Sequence, residues 1–178
     1  MVQKVYVTYN DVHKLCKESA QKILDEFKPE LIIAIGGGGY IPARILRSFL
    51  KQPNGKNISI QAIGLSLSEA INHLIGKNIL IVDEVDDTRT TLQYAVQELE
   101  KDVQEQSRKL GRSEKTNFSI FVLHNKDKEK RGTLPEEIVN SGYIAARTTK
   151  DVWLCYPWEA VDIEEHDRLA AQQGENSL

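Results

Sequence analysis

The feature that most constrains the fold is a short apolar run that passes directly into a cluster of acids. Residues 79–82 (ILIV) contain no polar side chain, which is typical of a strand covered on both faces of a parallel sheet. Residues 83–87 (DEVDD) then place four carboxylates in five positions. Because carboxylates repel one another and are costly to bury without a cation or hydrogen-bond donors, we expect a polar turn with a binding role directly after residue 82.

Other apolar segments alternate between strand and helix patterns. Strands are predicted over residues 2–7, 31–35, 58–65, 118–123 and 143–146, and helices over residues 11–27 (capped by Asn10 or Asp11), 43–50 (opened by Pro42) and 90–110. This alternation implies an α/β fold with a parallel sheet and right-handed crossovers. Residues 126–132 are expected to be solvated. The 178 residues show no repeat and no linker of domain-boundary quality, so we expect one domain, 1–178.

Composition excludes several classes of function. The net charge of −3 rules out a whole-surface basic field for nucleic acid or an anionic membrane, so a bound anion must be held by local geometry. The amino terminus lacks a secretory signal, and no apolar window is long enough to span a membrane. The two cysteines match no zinc spacing. We therefore expect a cytoplasmic protein, with the nucleus left open.

A run of four glycines, Gly36, Gly37, Gly38 and Gly39, follows the predicted strand at residues 31–35. Ligands of an open parallel sheet collect beyond the carboxyl ends of its strands, and glycines leave backbone amides accessible to a pyrophosphate at a helix amino terminus. The spacing is neither a dinucleotide fingerprint nor a Walker loop. A flexible turn that only avoids strain explains the glycines equally well, so both interpretations stay open.

The segment after residue 82 combines acids with hydroxyls. Asp83 and Glu84 can bind two ribose hydroxyls or a hard cation such as Mg²⁺. The three threonines at positions 88, 90 and 91, with the amides around them, form a cradle for a terminal phosphate. An acidic helix amino terminus would explain the later pair of acids, but not an acidic pair at the end of a buried strand. The combination indicates a sugar phosphate.

These segments carry a resemblance to a known family. Residues 82–91 resemble the phosphoribosyl-pyrophosphate (PRPP) loop of type I phosphoribosyltransferases, and residues 151–159 (DVWLCYPWE) resemble the purine-covering end of their 6-oxopurine branch. Similarity to the fungal xanthine and hypoxanthine-guanine phosphoribosyltransferases extends over residues 9–13, 41–47 and 121–128. The resemblance implies a parallel sheet flanked by helices, with a small hood subdomain contributed by the termini, mainly residues 143–178.

The resemblance also implies a role for each matching residue. Asp83 and Glu84 would bind the ribose hydroxyls and, mostly through them, Mg²⁺. Asp87 would assist removal of the purine proton. Asp86 would be a further PRPP-binding residue. The 5′-phosphate would be held by Thr88, Arg89, Thr90 and Thr91, and the leaving pyrophosphate by Gly36, Gly37, Gly38 and Gly39.

The purine would be bound by residues near the carboxyl terminus and after the fourth strand. The resemblance implies that Trp153 stacks on the base and that the backbone around Leu154 contacts its exocyclic group. Lys126 would meet the 6-oxo group, with Asn125 as the hydrogen-bonding alternative. Core packing of Trp153 and a solvated Lys126 are the competing interpretations, and core packing is expected for Trp158.

The implied activity is purine salvage. A pentosyltransferase of this kind moves the 5-phosphoribosyl group of PRPP to N9 of a 6-oxopurine, forming a nucleotide and pyrophosphate. We expect xanthine as the first substrate, hypoxanthine or guanine next, and a homodimer or homotetramer. The alternative is a non-catalytic regulator that senses PRPP or a purine. A basic face or a DNA-binding module should accompany that role, and neither is visible in the sequence.

Three positions depart from the family pattern. Arg89 stands where the family often has glycine, and it could pair with phosphate or with Asp86. Gly37 stands where the family often carries a basic residue, which leaves only backbone contacts, and a strained or cis peptide is expected beside Gly36. The family's long flap corresponds to residues 66–76, so either the flap is short in this protein or the sequence lacks part of it.

Overall fold

The computed structural model describes residues 3–51, 54–63 and 73–174. Most of the predicted flap, residues 66–76, lies outside these ranges. In chain order the elements are β1 (Lys4–Tyr6), α1 (Tyr9–Glu26), β2 (Leu31–Ile35), α2 (Tyr40–Arg47), β3 (Ser59–Ile63), β4 (Asn78–Asp86), α3 (Thr90–Leu110), β5 (Asn117–Lys126), a π-helix (Ile138–Gly142), β6 (Tyr143–Thr149), β7 (Trp153–Cys155), a 3₁₀ helix (Pro157–Glu159) and α4 (Ile163–Gln173).

Five strands form the main sheet, in the order β3-β2-β4-β5-β6. Each neighbouring pair is parallel. One apolar layer packs this sheet against α1 and α2, and a second packs it against α3. Residues 79–82 are fully buried because both faces of β4 are covered. The predicted α/β class, a parallel sheet flanked by helices, is confirmed.

The acids of residues 83–86 extend β4 rather than beginning a turn. The pairing between β4 and β5 continues through this stretch, with Asp83 opposite Val122 and Asp86 opposite Asn125. The prediction of a polar turn directly after residue 82 is therefore wrong. The neighbouring strand satisfies the backbone groups there, so charge repulsion does not end the strand. The turn itself comprises residues 87–89.

Helix boundaries follow capping chemistry that the apolar pattern does not contain. The sequence predicts a cap for α1 at Asn10 or Asp11, whereas the structure places it at Thr8. The amide of Asp11 donates to Thr8 Oγ1 at 3.1 Å, and the amide of Thr8 donates to Asp11 Oδ2 at 2.9 Å, which is a capping box. Helix α2 begins at Tyr40, before Pro42. The predicted span of α3, residues 90–110, is confirmed.

The two ends of the chain meet in a second, smaller sheet. Strands β1 and β7 pair in parallel, with Val5 opposite Leu154. Helix α4 joins them, since His166 Nε2 lies 2.9 Å from the carbonyl oxygen of Val7. These elements lie within the ranges expected for the hood, while β6 is an edge strand of the main sheet. Among the described residues, no helix has the length and apolar character needed to cross a bilayer.

Candidate active site

A cavity of about 720 Å³ opens at the carboxyl ends of β2 and β4, where parallel sheets bind ligands. One wall is the glycine loop, residues 36–39. The facing wall is formed by residues 83–89, the acidic end of β4 with the turn that follows it, which we call the acid turn. Trp158 and Glu159 cover it from the carboxyl-terminal segment. A cavity of similar size, about 660 Å³, lies beside the start of β5, far from the residues predicted to carry chemistry.

Most of the predicted PRPP-binding residues meet at the first cavity. Its lining includes Gly36, Gly37, Gly38, Asp83, Glu84, Asp86, Asp87, Thr88, Arg89 and Thr91. Thr90 lies beside them, since its hydroxyl oxygen is 2.9 Å from that of Thr88. The sequence signals therefore identified residues on both walls of this cavity.

The four glycines serve different purposes. A Cβ at Gly39 would overlap the carbonyl oxygen of Val82, so this glycine lets the loop pack against β4. A Cβ at Gly38 would overlap the carboxyl group of Glu84. The absence of a side chain at Gly38 therefore lets the Glu84 carboxyl group lie against the loop. Nothing lies within 4 Å of a Cβ at Gly37. The peptide between Gly36 and Gly37 is cis, as the resemblance implied.

Asp83 and Glu84 form an acidic pair in which Asp83 is buried and Glu84 is half-buried. The amide of Glu84 donates to Asp83 Oδ1 at 2.8 Å, whereas Glu84 Oε2 has no hydrogen-bond partner among the described residues. Burial raises the pKa of Asp83 to about 6. Burial, together with repulsion from Asp83, raises the pKa of Glu84 to about 7. Glu84 Oε2 therefore lacks a donor or a cation, and a ribose hydroxyl would supply a donor.

Asp86 is anchored beneath the turn. It is 1% exposed, and its Oδ2 accepts hydrogen bonds from Nε and Nη2 of Arg89, both at 2.9 Å, and from the hydroxyl of Tyr143 at 2.7 Å. Arg89 has a φ of 67°, a left-handed conformation that favours glycine. These bonds explain how a larger residue is held there. Of the two roles left open for Arg89, the structure shows the pairing with Asp86.

Asp87 lies at the outer end of the acid turn, with 46% of its side chain exposed. Lys126 Nζ is 3.4 Å and Lys128 Nζ 3.0 Å from Asp87 Oδ1, and both ammonium groups also pair with Asp151, at 3.5 and 2.9 Å. Burial alone would raise the pKa of Asp87, but hydrogen bonding and charge from the two lysines leave it below its ordinary value. Asp87 is therefore an ionised acceptor beside two cations.

The residues predicted to bind the purine are only partly gathered here. Lys126, the last residue of β5, reaches Asp87, whereas the amide group of Asn125 is directed to Thr148 Oγ1 at 3.4 Å. Leu154 is buried in the apolar core, and its strand pairs with β1. Trp153 is 60% exposed and lines a smaller neighbouring cavity of about 290 Å³.

Tyr156 links the carboxyl-terminal segment to the acid turn, a contact that sequence reasoning missed. Its hydroxyl donates to the carbonyl oxygen of Glu84 at 3.1 Å and lies 2.9 Å from His124 Nδ1. Trp158 stacks on the Tyr156 ring, at 4.8 Å between centroids, so it combines core packing with a place in the cavity wall. Burial lowers the pKa of His124 to about 4, which keeps it neutral.

Known proteins resemble this chain over almost its full length. The hypoxanthine-guanine phosphoribosyltransferase of Schizosaccharomyces pombe is 52% identical and the xanthine phosphoribosyltransferase 1 of Saccharomyces cerevisiae 55% identical, each alignment covering 97% of both chains. A solved structure of a hypothetical protein from Neisseria gonorrhoeae with bound ppGpp is 36% identical, with a TM-score of 0.79 over 98% of this chain and 99% of that chain. A purine phosphoribosyltransferase from Pyrococcus horikoshii is 29% identical, with a TM-score of 0.59 over 90% and 96%. No family model matches the sequence.

The parallel sheet, with a glycine loop and an acid turn facing each other at its carboxyl edge, has the type I phosphoribosyltransferase fold. Within that fold, the chain belongs to the family of the fungal xanthine and hypoxanthine-guanine phosphoribosyltransferases. The alignments with the two curated relatives are 199 and 203 positions long, longer than the 178 residues here. Both relatives therefore have internal residues without a counterpart in this chain, which fits a short flap and a sequence that lacks part of the flap equally well.

Proposed function

We propose that this protein transfers the 5-phosphoribosyl group of PRPP to N9 of a 6-oxopurine, with xanthine preferred and hypoxanthine or guanine next. The products are XMP, IMP or GMP, and pyrophosphate. The activity is that of a pentosyltransferase in purine salvage. The observation that carries the proposal is the cavity itself, in which the glycine loop faces a wall of buried and half-buried carboxylates. The family to which the chain belongs supports the same chemistry.

Each wall of the cavity suits a different part of PRPP. The amides at the start of α3, with the hydroxyls of Thr88 and Thr90, are donors for the 5′-phosphate at a helix amino terminus. Asp83 and Glu84 accept hydrogen bonds from the ribose hydroxyls. The open backbone at Gly37 leaves room for the pyrophosphate to approach the loop.

Magnesium fits this donor set only together with the substrate. In the described ranges 3–51, 54–63 and 73–174, no group of three or more acidic, histidine or cysteine side chains is arranged so that it could hold a metal ion by itself. Mg²⁺ is commonly bound through one or two carboxylates plus substrate phosphates and water, and the unpartnered Oε2 of Glu84 matches that need. Glu84 and Asp83 would hold the ion, mostly through the ribose hydroxyls. When bound, it neutralises charge on the leaving pyrophosphate.

The reaction breaks the bond between C1′ and the pyrophosphate oxygen and forms the bond between C1′ and N9. Positive charge develops on the ribose ring, and the carboxylates of Asp83 and Glu84 stabilise it. The purine loses a proton from its imidazole ring as N9 attacks, and Asp87 accepts that proton. On a 6-oxopurine, N7 and the 6-oxo group are neighbours. Lys126 and Asp87, 3.4 Å apart, match that pair as donor and acceptor.

The remaining purine contacts follow from the carboxyl-terminal segment. Trp153 stacks on the base, a role that its exposed ring permits. The backbone around Leu154 contacts the exocyclic group, and Asn125 is a second hydrogen-bonding group near Lys126. The bound ppGpp of the gonococcal relative is a guanine nucleotide with pyrophosphate groups, which supports a site for the same two chemical parts here.

Two further expectations belong to the proposal. We propose a homodimer or homotetramer, which the family resemblance implies. We also propose a cytoplasmic location, with the nucleus left open. The comparisons give no support to the alternative of a non-catalytic regulator.

The test is a substrate panel with the purified protein. PRPP and Mg²⁺ are supplied with xanthine, hypoxanthine, guanine or adenine in turn, and nucleotide formation is followed by chromatography. We expect XMP to form fastest, IMP and GMP more slowly, and no AMP. Absence of turnover with all three 6-oxopurines would contradict the enzyme proposal. Faster turnover of hypoxanthine or guanine would overturn the preference for xanthine alone.

A further inference from the structure

One lysine ties the loop after β5 to the acid turn. The ammonium of Lys130 donates to the carbonyl oxygens of Asp86 at 2.7 Å, Asp87 at 3.0 Å and Lys126 at 2.8 Å. A lysine ammonium has three N–H donors, so all of them converge on the backbone of these two segments. The Lys130 side chain is 15% exposed, and its Nζ lies 3.5 Å from Asp86 Oδ1.

Backbone contacts bring the same loop, residues 126–132, against the acid turn. The amides of Arg131 and Gly132 both donate to the carbonyl oxygen of Thr88 at 3.0 Å. A Cβ at Gly132 would overlap the carbonyl oxygen of Arg89, so glycine is required for this approach. The prediction that residues 126–132 are solvated is therefore wrong for the buried Gly132 and the half-buried lysines, but it holds for the exposed Asp127, Glu129 and Arg131. Charged side chains in this loop alternate in direction. Lys126, Lys128 and Lys130 contact the acid turn, and the residues between them are exposed to solvent.

The segments that Lys130 joins carry the two halves of the proposed site. Lys126 and Asp87 are the proposed contacts to the purine, and residues 88–91 are the proposed 5′-phosphate cradle. Lys130 itself does not line the cavity. Its bonds go to main-chain oxygens, so they set the position of the backbone from which these functional groups project.

We infer that Lys130 is a positioning residue, whose ammonium fixes the purine-contacting residue Lys126 against residues 86–87, the segment that leads directly into the phosphate cradle. This inference rests on the proposed function. An ammonium suits this role because its three N–H bonds point in three different directions from a single nitrogen atom. A planar guanidinium cannot direct its donors to three converging carbonyls in that way.

We expect the loss of Lys130 to displace the proposed purine contacts and the proposed phosphate cradle relative to each other. A misplacement of about 1 Å between reacting groups costs about 100-fold in rate. We therefore expect Lys130→Met to lower kcat/KM by about 100-fold for PRPP and for the purine alike. Lys130→Arg should recover little of it. The control is Lys115→Met, which removes an exposed lysine paired with Glu137 and should leave both values unchanged.

A second measurement does not depend on catalysis. Amide hydrogen exchange of the ligand-free protein is compared between the wild type and Lys130→Met. Loss of three charge-assisted bonds should speed exchange by about tenfold or more in residues 86–89 and in residues 126–132 together, with α1 unaffected. If Lys130→Met does not fold, Lys130→Arg, which keeps a cation, takes its place in both experiments.

The outcomes are distinct. Faster exchange in both segments with a joint loss of kcat/KM supports the inference. A lower Tm with kcat/KM unchanged for the folded enzyme would show a merely structural lysine and overturn it, as would faster exchange in only one segment. If the wild type turns over no purine, the proposed function fails by itself, and the exchange data still decide whether Lys130 joins the two segments.

Discussion

Replacing Asp87 by Asn separates catalysis from stability at the proposed proton acceptor. The side chain is 46% exposed and pairs with Lys126 and Lys128 at 3.4 and 3.0 Å. Solvent-screened pairs of this kind contribute about 0–1 kcal/mol, so Asp87→Asn should lower Tm by no more than about 2–4 °C. General acid–base groups contribute about 100- to 10,000-fold in rate, and we expect kcat to fall within that range.

The control for Asp87→Asn is Asp151→Asn. Asp151 is similarly exposed and pairs with the same two lysines, so its loss removes comparable ion pairs without removing the proton acceptor. Initial rates at saturating PRPP and xanthine measure kcat, and thermal unfolding measures Tm. We expect a large fall in kcat for Asp87→Asn and a change in kcat of only a few-fold for Asp151→Asn. Equal effects would show that Asp87 acts only through its lysine pairs, and an unchanged kcat would refute its role.

Three other predictions concern the candidate site. The pKa values of Asp83 and Glu84 are raised to about 6 and about 7, so the folded, ligand-free protein holds these protons more tightly than the unfolded chain. Its free energy of unfolding should therefore decrease by on the order of 3 kcal/mol as the pH rises from about 4 to about 7. Asp83→Asn should flatten that part of a Tm–pH curve, and an unchanged curve would count against the acidic pair. Gly39→Ala forces a Cβ into backbone carbonyl oxygens and should lower Tm strongly, whereas Gly37→Ala should leave Tm nearly unchanged; equal Tm values would contradict this difference in packing. Trp153→Ala should raise KM for the purine by roughly 5- to 150-fold, the value of one stacked base, with KM for PRPP unchanged; a parallel rise in both would remove the stacking role.

The fold was predictable because its signals are local. The uninterrupted apolar run of residues 79–82 and the helical spacing of residues 90–110 depend only on neighbouring positions. The continuation of β4 through Asp83 and Glu84 was not predictable, since it depends on pairing with β5, whose register the sequence does not contain. The cap at Thr8 likewise needed a side-chain contact.

The site was predictable in its two walls and not in what supports them. Glycine and acid runs are visible as strings, so both sides of the cavity could be named in advance. The hydrogen bonds from Lys130 to three carbonyl oxygens could not be predicted from the charged segment 126–131, because a solvated lysine and a hydrogen-bonded one look alike in sequence. The contact between Tyr156 and Glu84 spans 72 positions and has no local signature either.

The most direct measurement is a pair of amide titrations followed by ¹⁵N–¹H correlation spectra. The two halves of PRPP are added separately, as ribose 5-phosphate and as pyrophosphate with Mg²⁺. The account predicts that ribose 5-phosphate shifts the amides of residues 88–91, while pyrophosphate shifts those of residues 36–39. If both ligands moved the same set of amides, or if either acted chiefly at the cavity beside the start of β5, the assignment of two phosphate subsites to the facing walls would be contradicted.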